Sequence, residues 1–187
     1  MHRVLKKEQI LTVPNLLSLL RLLMIPLIIW LYCGAKRYYA AVGVIILSGL
    51  TDVADGIIAR KCNMVSDFGK ILDPVADKLT QGAVIICLAT KYKLMIPLII
   101  EFALRELCML VMGYMTIKNQ DSVNSAKWYG KLTTVVLYAV MILLILFPQI
   151  SDGIANGMIV GCSVMLLFSF VMYVRFYLGF WREARSS

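Results

Sequence analysis

Histidine is almost missing from this chain of 187 residues: its one copy, His2, precedes every apolar run and carries no catalytic or metal-binding argument. The five cysteines, Cys33, Cys62, Cys87, Cys108 and Cys162, form no CxxC pair. That spacing gives neither a thiolate metal site nor a disulfide framework, and they read as small apolar packing residues. No linker, low-complexity tract or repeat of fixed period interrupts the chain, so 1–187 reads as one domain whose first segment, 1–14, is expected to be cytoplasmic and starts basic and polar over Met1 to Gln9. Acids are scarce too, 11 against 19 Lys and Arg, for a formal net charge of +8. In a soluble chain that excess would suggest nucleic acid; beside apolar runs it implies basic ends facing anionic headgroups, with no nucleic acid partner.

What is plentiful is apolar surface. The chain is 60% hydrophobic with a mean hydropathy of +0.81, and the excess falls in blocks of roughly 17 to 25 residues, the length that crosses a bilayer as a helix. Six spans follow, at about 15–32, 38–60, 69–90, 94–117, 128–147 and 154–178. The first carries Arg21 and lacks a small-residue cleavage site, so it reads as a transmembrane helix and not a removed signal peptide. Pro14 leads into it, and the ring of Pro26 is expected to bend it by breaking an internal hydrogen bond.

An even number of spans puts both ends on one side. That side holds Arg3, Lys6, Lys7, Arg60, Lys61, Lys70, Lys118, Lys127, Lys131, Arg182 and Arg185; the other loops hold only Lys36, Arg37, Lys91 and Lys93. Basic loops stay in the cytoplasm. The expectation is an all-α, multi-pass integral membrane protein with both termini cytoplasmic.

Against that background the stretch "DVADGIIARKCNMVSDFGKILDPVAD", 52–77, is anomalous. At 100° per residue Asp52, Asp55, Gly56 and Ala59 share one helical stripe, and Gly69, Asp73 and Asp77 share another. A polar connection of eight residues, 61–68, lets the two helices return antiparallel, so that both stripes face one another at the cytoplasmic edge. An acid within a span costs about 2.5 kcal/mol or more. Hard divalent cations such as Mg²⁺, Mn²⁺ or Ca²⁺ take oxygen ligands and would organise four carboxylates. The plainer alternative, solvated acids at a helix end, leaves their shared stripes unexplained. Gly56, Ala59 and Gly69 either let helices pack closely or let a bulky ligand reach the backbone, and Arg60 either anchors topology or pairs with a phosphate.

The string Asp52-x-x-Asp55-Gly56-x-x-Ala59-Arg60, eight residues, Gly69-x-x-x-Asp73-x-x-x-Asp77 resembles the signature of the CDP-alcohol phosphotransferase family at all eight positions. The opening "VPNLLSLLR" is similar to that of bacterial phospholipid synthases. The resemblance implies a homodimer of six-helix protomers, each with a polar cavity open to the cytoplasm. It implies that Asp52, Asp55, Asp73 and Asp77 hold one or two divalent metals, Mg²⁺ or Mn²⁺, with Asp77 also the general base. Gly56, Ala59, Arg60 and Gly69 would line the site for CDP-diacylglycerol. Asn15 either touches the diphosphate or caps the first helix.

The acceptor alcohol should meet other charges. Arg105 and Glu106 lie within the fourth span, where ions are functional candidates by default, although pairing with each other or with Glu101 is the structural alternative. Lys131 opens the fifth span and either meets an anionic acceptor or snorkels; Arg21 has the same ambiguity. The "RE" of span four with "GK-x-x-T" of span five resembles the phosphatidylglycerophosphate synthases of the family, which implies glycerol 3-phosphate. Gly113 stands where bacterial members of that group often carry a second arginine, and the apolar "LCMLVMGYM" with "SGLTD" is closer to the family's cardiolipin synthases, whose acceptor is phosphatidylglycerol. A divalent-metal transporter would need acids near the bilayer midplane, and spans five and six have none there. A scaffold without catalysis is disfavoured because no signature acid is missing.

Overall fold

The structure is a computed structural model that describes residues 13–61, 67–119 and 128–186. Among these residues there are six α-helices and no strand. They are α1 (Val13–Ile29), α2 (Tyr38–Lys61), α3 (Asp67–Ala89), α4 (Met95–Asn119), α5 (Trp128–Leu146) and α6 (Asp152–Ser186). Each expected span coincides with one helix. The largest departure is at the C-terminus: the apolar part of α6 is Asp152–Gly179, close to the expected 154–178, but the helix itself continues to Ser186.

Helix α1 stays helical through Pro26, which withholds an N–H from the carbonyl of Leu22. The hydrogen-bond register then widens into a π-turn, Trp30–Gly34, where the Ala35 N–H donates to the Trp30 carbonyl at 2.8 Å. Lys36, with φ of 53°, ends the element in the left-handed region. The Arg37 N–H reaches back to the Leu31 carbonyl there, in the manner of a helix C-cap.

The chain divides into two compact units, Met1–Cys87 and Leu88–Ser187. In the first, α1 packs along α2, with Ile28, Ala41, Val42 and Ile45 buried. In the second, α6 packs on both α4 and α5, burying Leu98, Leu137, Met141, Ile159 and Leu166.

Burial in α1 runs opposite to that of a water-soluble helix. Asn15, Ser18 and Arg21 are buried, while Leu16, Leu19, Leu20 and Leu23 are exposed. In water this would bury the polar edge and solvate the leucines. In lipid it is the favourable arrangement, because ions and amides turn to the protein interior and leucine meets hydrocarbon.

Among the described residues three helical stretches qualify by length and apolar content to cross a bilayer: Asn15–Gly34, Trp128–Leu146 and Asp152–Gly179. Among the described residues the apolar stretch of α2 is Tyr38–Asp52, and the sequence that follows, 53–59, is apolar or small but for Asp55. In α3 and α4 the charges Asp73, Asp77, Lys78, Glu101, Arg105 and Glu106 interrupt the apolar composition.

Candidate functional site

The first unit gathers its charges around Arg21. Arg21 Nη1 lies 2.6 Å from Asp52 Oδ1 on α2 and 3.2 Å from Asp73 Oδ1 on α3. Ser18, one helical turn before Arg21, donates from Oγ to the same Asp73 Oδ1 at 3.3 Å. Three helices are thus tied at one point, and the foremost acid of each stripe, expected to oppose the other, meets the same guanidinium nitrogen.

The exposure is lopsided. The Arg21 side chain is 2% exposed, whereas those of Asp52 and Asp73 are 42% and 38% exposed. The cation is covered while the acids remain open. Asp52 also lies near enough to feel the charges of both Asp73 and Asp77. Among the described residues around Arg21, the acids Asp52, Asp73 and Asp77 outnumber it.

Asp77, half-buried one turn beyond Asp73, accepts at Oδ2 a hydrogen bond of 2.9 Å from Gln81 Nε2. Gln81 is fully buried, and its Oε1 has no hydrogen-bond partner among the described residues. Gly69 sits half-buried on α3. The other signature residues, Asp55, Gly56, Ala59 and Arg60, belong to α2, but their side chains lie outside the described residues.

The donor set suits a hard cation, since it is carboxylate oxygen with excess negative charge. Among the described residues, no three acids close into a ready-made metal cage; the fit rests on Asp52 and Asp73 converging with Asp77 nearby.

Asn15 is buried and lies inside α1, which begins at Val13, so it does not cap that helix. Arg21 meets acids of the signature.

The second unit holds the remaining candidates. Arg105 is buried on α4, donating from Nη1 to Glu106 Oε1 at 2.9 Å and from Nη2 to Ser169 Oγ on α6 at 3.3 Å. Its guanidinium carbon is 5.9 Å from the centre of the Tyr173 ring, a cation–π distance. Its Nε is buried without a hydrogen-bond partner among the described residues. Glu101, weighed as a partner of Arg105, instead accepts from Ser163 Oγ at 2.6 Å. Lys131 is exposed on the first turn of α5.

Two residues of this geometry escaped the sequence reading, though both continue a pattern it used. Gln81 extends the Gly69, Asp73, Asp77 stripe by one more step of four. Ser18 stands midway between Asn15 and Arg21 at steps of three.

Comparison with known proteins addresses the family. The sequence profile of the CDP-alcohol phosphatidyltransferase family matches residues 11–181. A Streptomyces coelicolor protein named cardiolipin synthase (CMP-forming) is 31% identical over 169 residues, 87% of this chain and 75% of its own length. A Rickettsia typhi protein named CDP-diacylglycerol–glycerol-3-phosphate 3-phosphatidyltransferase is 44% identical over 80 residues, 42% of this chain and 45% of its own. Its Rickettsia bellii namesake is 45% identical over 80 residues, 42% of this chain and 44% of its own. Since the family profile runs through both compact units and a relative matched over most of the chain is 31% identical, the chain belongs to the CDP-alcohol phosphatidyltransferase family.

Proposed function

We propose that this protein transfers the phosphatidyl group of CDP-diacylglycerol to glycerol 3-phosphate, releasing CMP. The observation that supports it best is the meeting of Asp52 and Asp73, from opposite stripes, at one point beside Asp77. A divalent cation held by Asp52, Asp55, Asp73 and Asp77 would neutralise the diphosphate and make CMP a better leaving group.

The chain's own residues do the rest. Asp77 takes the proton of the acceptor hydroxyl. As that proton leaves, the acceptor oxygen forms a bond to the phosphorus carrying the diacylglycerol, and the bond from that phosphorus to the CMP oxygen breaks. Gln81, anchored to Asp77 Oδ2, fixes the rotation of the base. Gly56, Ala59, Arg60 and Gly69 line the nucleotide side, Asn15 the diphosphate. We take both compact units as one catalytic domain, facing the cytoplasm in an integral membrane protein that works as a homodimer.

For the acceptor the argument is charge. Among the described residues Arg105 has one carboxylate partner and an Nε without an acceptor, and Lys131 is exposed; both suit an anionic alcohol, whereas Arg21, expected to be a further acceptor contact, is covered and taken up by Asp52 and Asp73. The Rickettsia relatives support glycerol 3-phosphate by name. A second reading, cardiolipin synthesis with phosphatidylglycerol as acceptor, draws on the Streptomyces relative, which matches far more of the chain.

Purified protein given CDP-diacylglycerol and Mn²⁺, with each acceptor in turn, tests both. Glycerol 3-phosphate is expected to give CMP release well above background. Asp77→Asn should reduce it by about 10²- to 10⁴-fold, the usual contribution of a general base. Turnover with phosphatidylglycerol alone would move the assignment to the second reading, and full activity in Asp77→Asn would remove the base.

A further inference from the structure

Along α1 the sequence Asn15-Leu-Leu-Ser18-Leu-Leu-Arg21 places a polar residue at every third position, and all three are buried. An arginine inside a membrane helix has a large desolvation cost unless opposite charge surrounds it. Here that charge is Asp52 and Asp73, at 2.6 and 3.2 Å from a single nitrogen. The guanidinium is closed off, and the carboxylates face the open side.

We propose that Arg21 is a positioning residue of the metal site: it holds the Asp52 and Asp73 carboxylates together from behind, so that the two helices present them jointly to a divalent cation. The inference rests on the reading of these acids as metal ligands. A carboxylate has about four lone-pair sites, so a donor at Oδ1 leaves capacity for a metal. A cation arriving from the exposed side meets the acids before it meets Arg21.

Two effects of Arg21 oppose each other. Its charge repels a divalent ion, and its hydrogen bonds keep two mutually repelling ligands in place. The ordering effect wins here. Without Arg21, two close carboxylates would lose their covering donor, and rotation of either would remove a ligand. The acids outnumber the arginine three to one among the described residues, so enough negative charge remains to attract the metal. Loss of such an outer partner ordinarily weakens metal affinity by about 10- to 100-fold. A pure charge effect has the opposite sign, and Arg21 removal would tighten binding.

The test measures metal affinity, not turnover. The purified full-length protein in detergent is stripped with EDTA and titrated with Mn²⁺, free ion being read by electron paramagnetic resonance. Arg21→Met is expected to raise the Mn²⁺ Kd by about 10- to 100-fold, with helicity and the EDTA-state melting transition retained. Arg21→Lys should stay within a few-fold of the parent, because one nitrogen makes both contacts and a compact ammonium can replace it.

Equal or tighter binding in Arg21→Met overturns the proposal, as does Arg21→Lys binding as weakly as Arg21→Met. If Arg21→Met cannot be recovered folded, Ser18→Ala removes the neighbouring donor to Asp73; a few-fold weaker Kd supports the proposal and an unchanged one overturns it. No saturable Mn²⁺ binding by the parent protein overturns the metal reading itself, and this inference with it.

Discussion

Gln81 shows how much a single side chain contributes beyond the signature. With Nε2 donating to a carboxylate, its amide orientation is fixed, because the flipped form would set oxygen against oxygen. The remaining Oε1 is buried without a partner among the described residues, a cost of about 1–3 kcal/mol for an orphaned acceptor. Gln81→Leu removes that orphan together with the bond to Asp77. Stability should therefore change little, whereas a lost hydrogen bond to a charged group, about 1.5–3 kcal/mol, lets the base swing. The expected result is a fall in kcat of about tenfold or more with a nearly constant melting temperature. A parallel loss of both would mean that Gln81 acts only in folding. Spacing made the acids and Gly69 legible, because a carboxylate in an apolar helix is conspicuous. Gln81, Ser18 and the placement of Arg21 were harder to see: glutamine and serine are unremarkable in a span, and which acid an arginine meets depends on packing.

At the scale of helices, hydropathy marked where most elements begin and end. Apolar runs stop at Ala35–Arg37, Lys91 and Pro148, and so do the helices. It missed the tail of α6, since backbone hydrogen bonding continues past Gly179 where apolar composition does not. It also could not specify how α5 seats on α6. Thr133 Oγ1 donates to the Tyr129 carbonyl at 2.8 Å and approaches the Met165 carbonyl at 3.4 Å. The Tyr129 and Tyr173 rings meet edge-on, 4.7 Å between centres. Any Cβ at Gly130 would collide with the Tyr173 hydroxyl. The small residue is thus what admits Tyr173 beneath Arg105. Gly130→Ala should destabilise the fold by about 1–3 kcal/mol, as overpacking does, and lower the melting temperature. Adding Tyr173→Phe, which deletes the colliding oxygen, should recover part of that loss. Additive losses in the double variant would show that the two residues are not coupled.

For the whole molecule the open physical question is how many helices cross the bilayer. Only α1, α5 and α6 qualify on hydropathy among the described residues, and a chain crossing three times has its termini on opposite sides. Charge argues otherwise. With six crossings the cytoplasmic loops and ends gather Arg3, Lys6, Lys7, Arg60, Lys61, Lys118, Lys127, Arg182 and Arg185, and the far loops keep four basic residues. The sequence of α2 stays apolar through 58 apart from Asp52 and Asp55, the charges of α3 and α4 include the candidate site residues Asp73, Asp77 and Arg105, and polar groups inside a bundle need not face lipid. Six crossings are therefore expected. The two arrangements differ at three loops. Six crossings put Arg37 and Gln149 outside and Ser122 inside; three crossings put Arg37 and Ser122 together and Gln149 opposite. In a background with the five native cysteines replaced, Arg37→Cys and Gln149→Cys should react with a membrane-impermeant maleimide on intact cells, and Ser122→Cys only after permeabilisation. Joint labelling of positions 37 and 122 with protection at 149 would leave α2 through α4 outside the count, and the acids could no longer be assigned to the cytoplasmic leaflet.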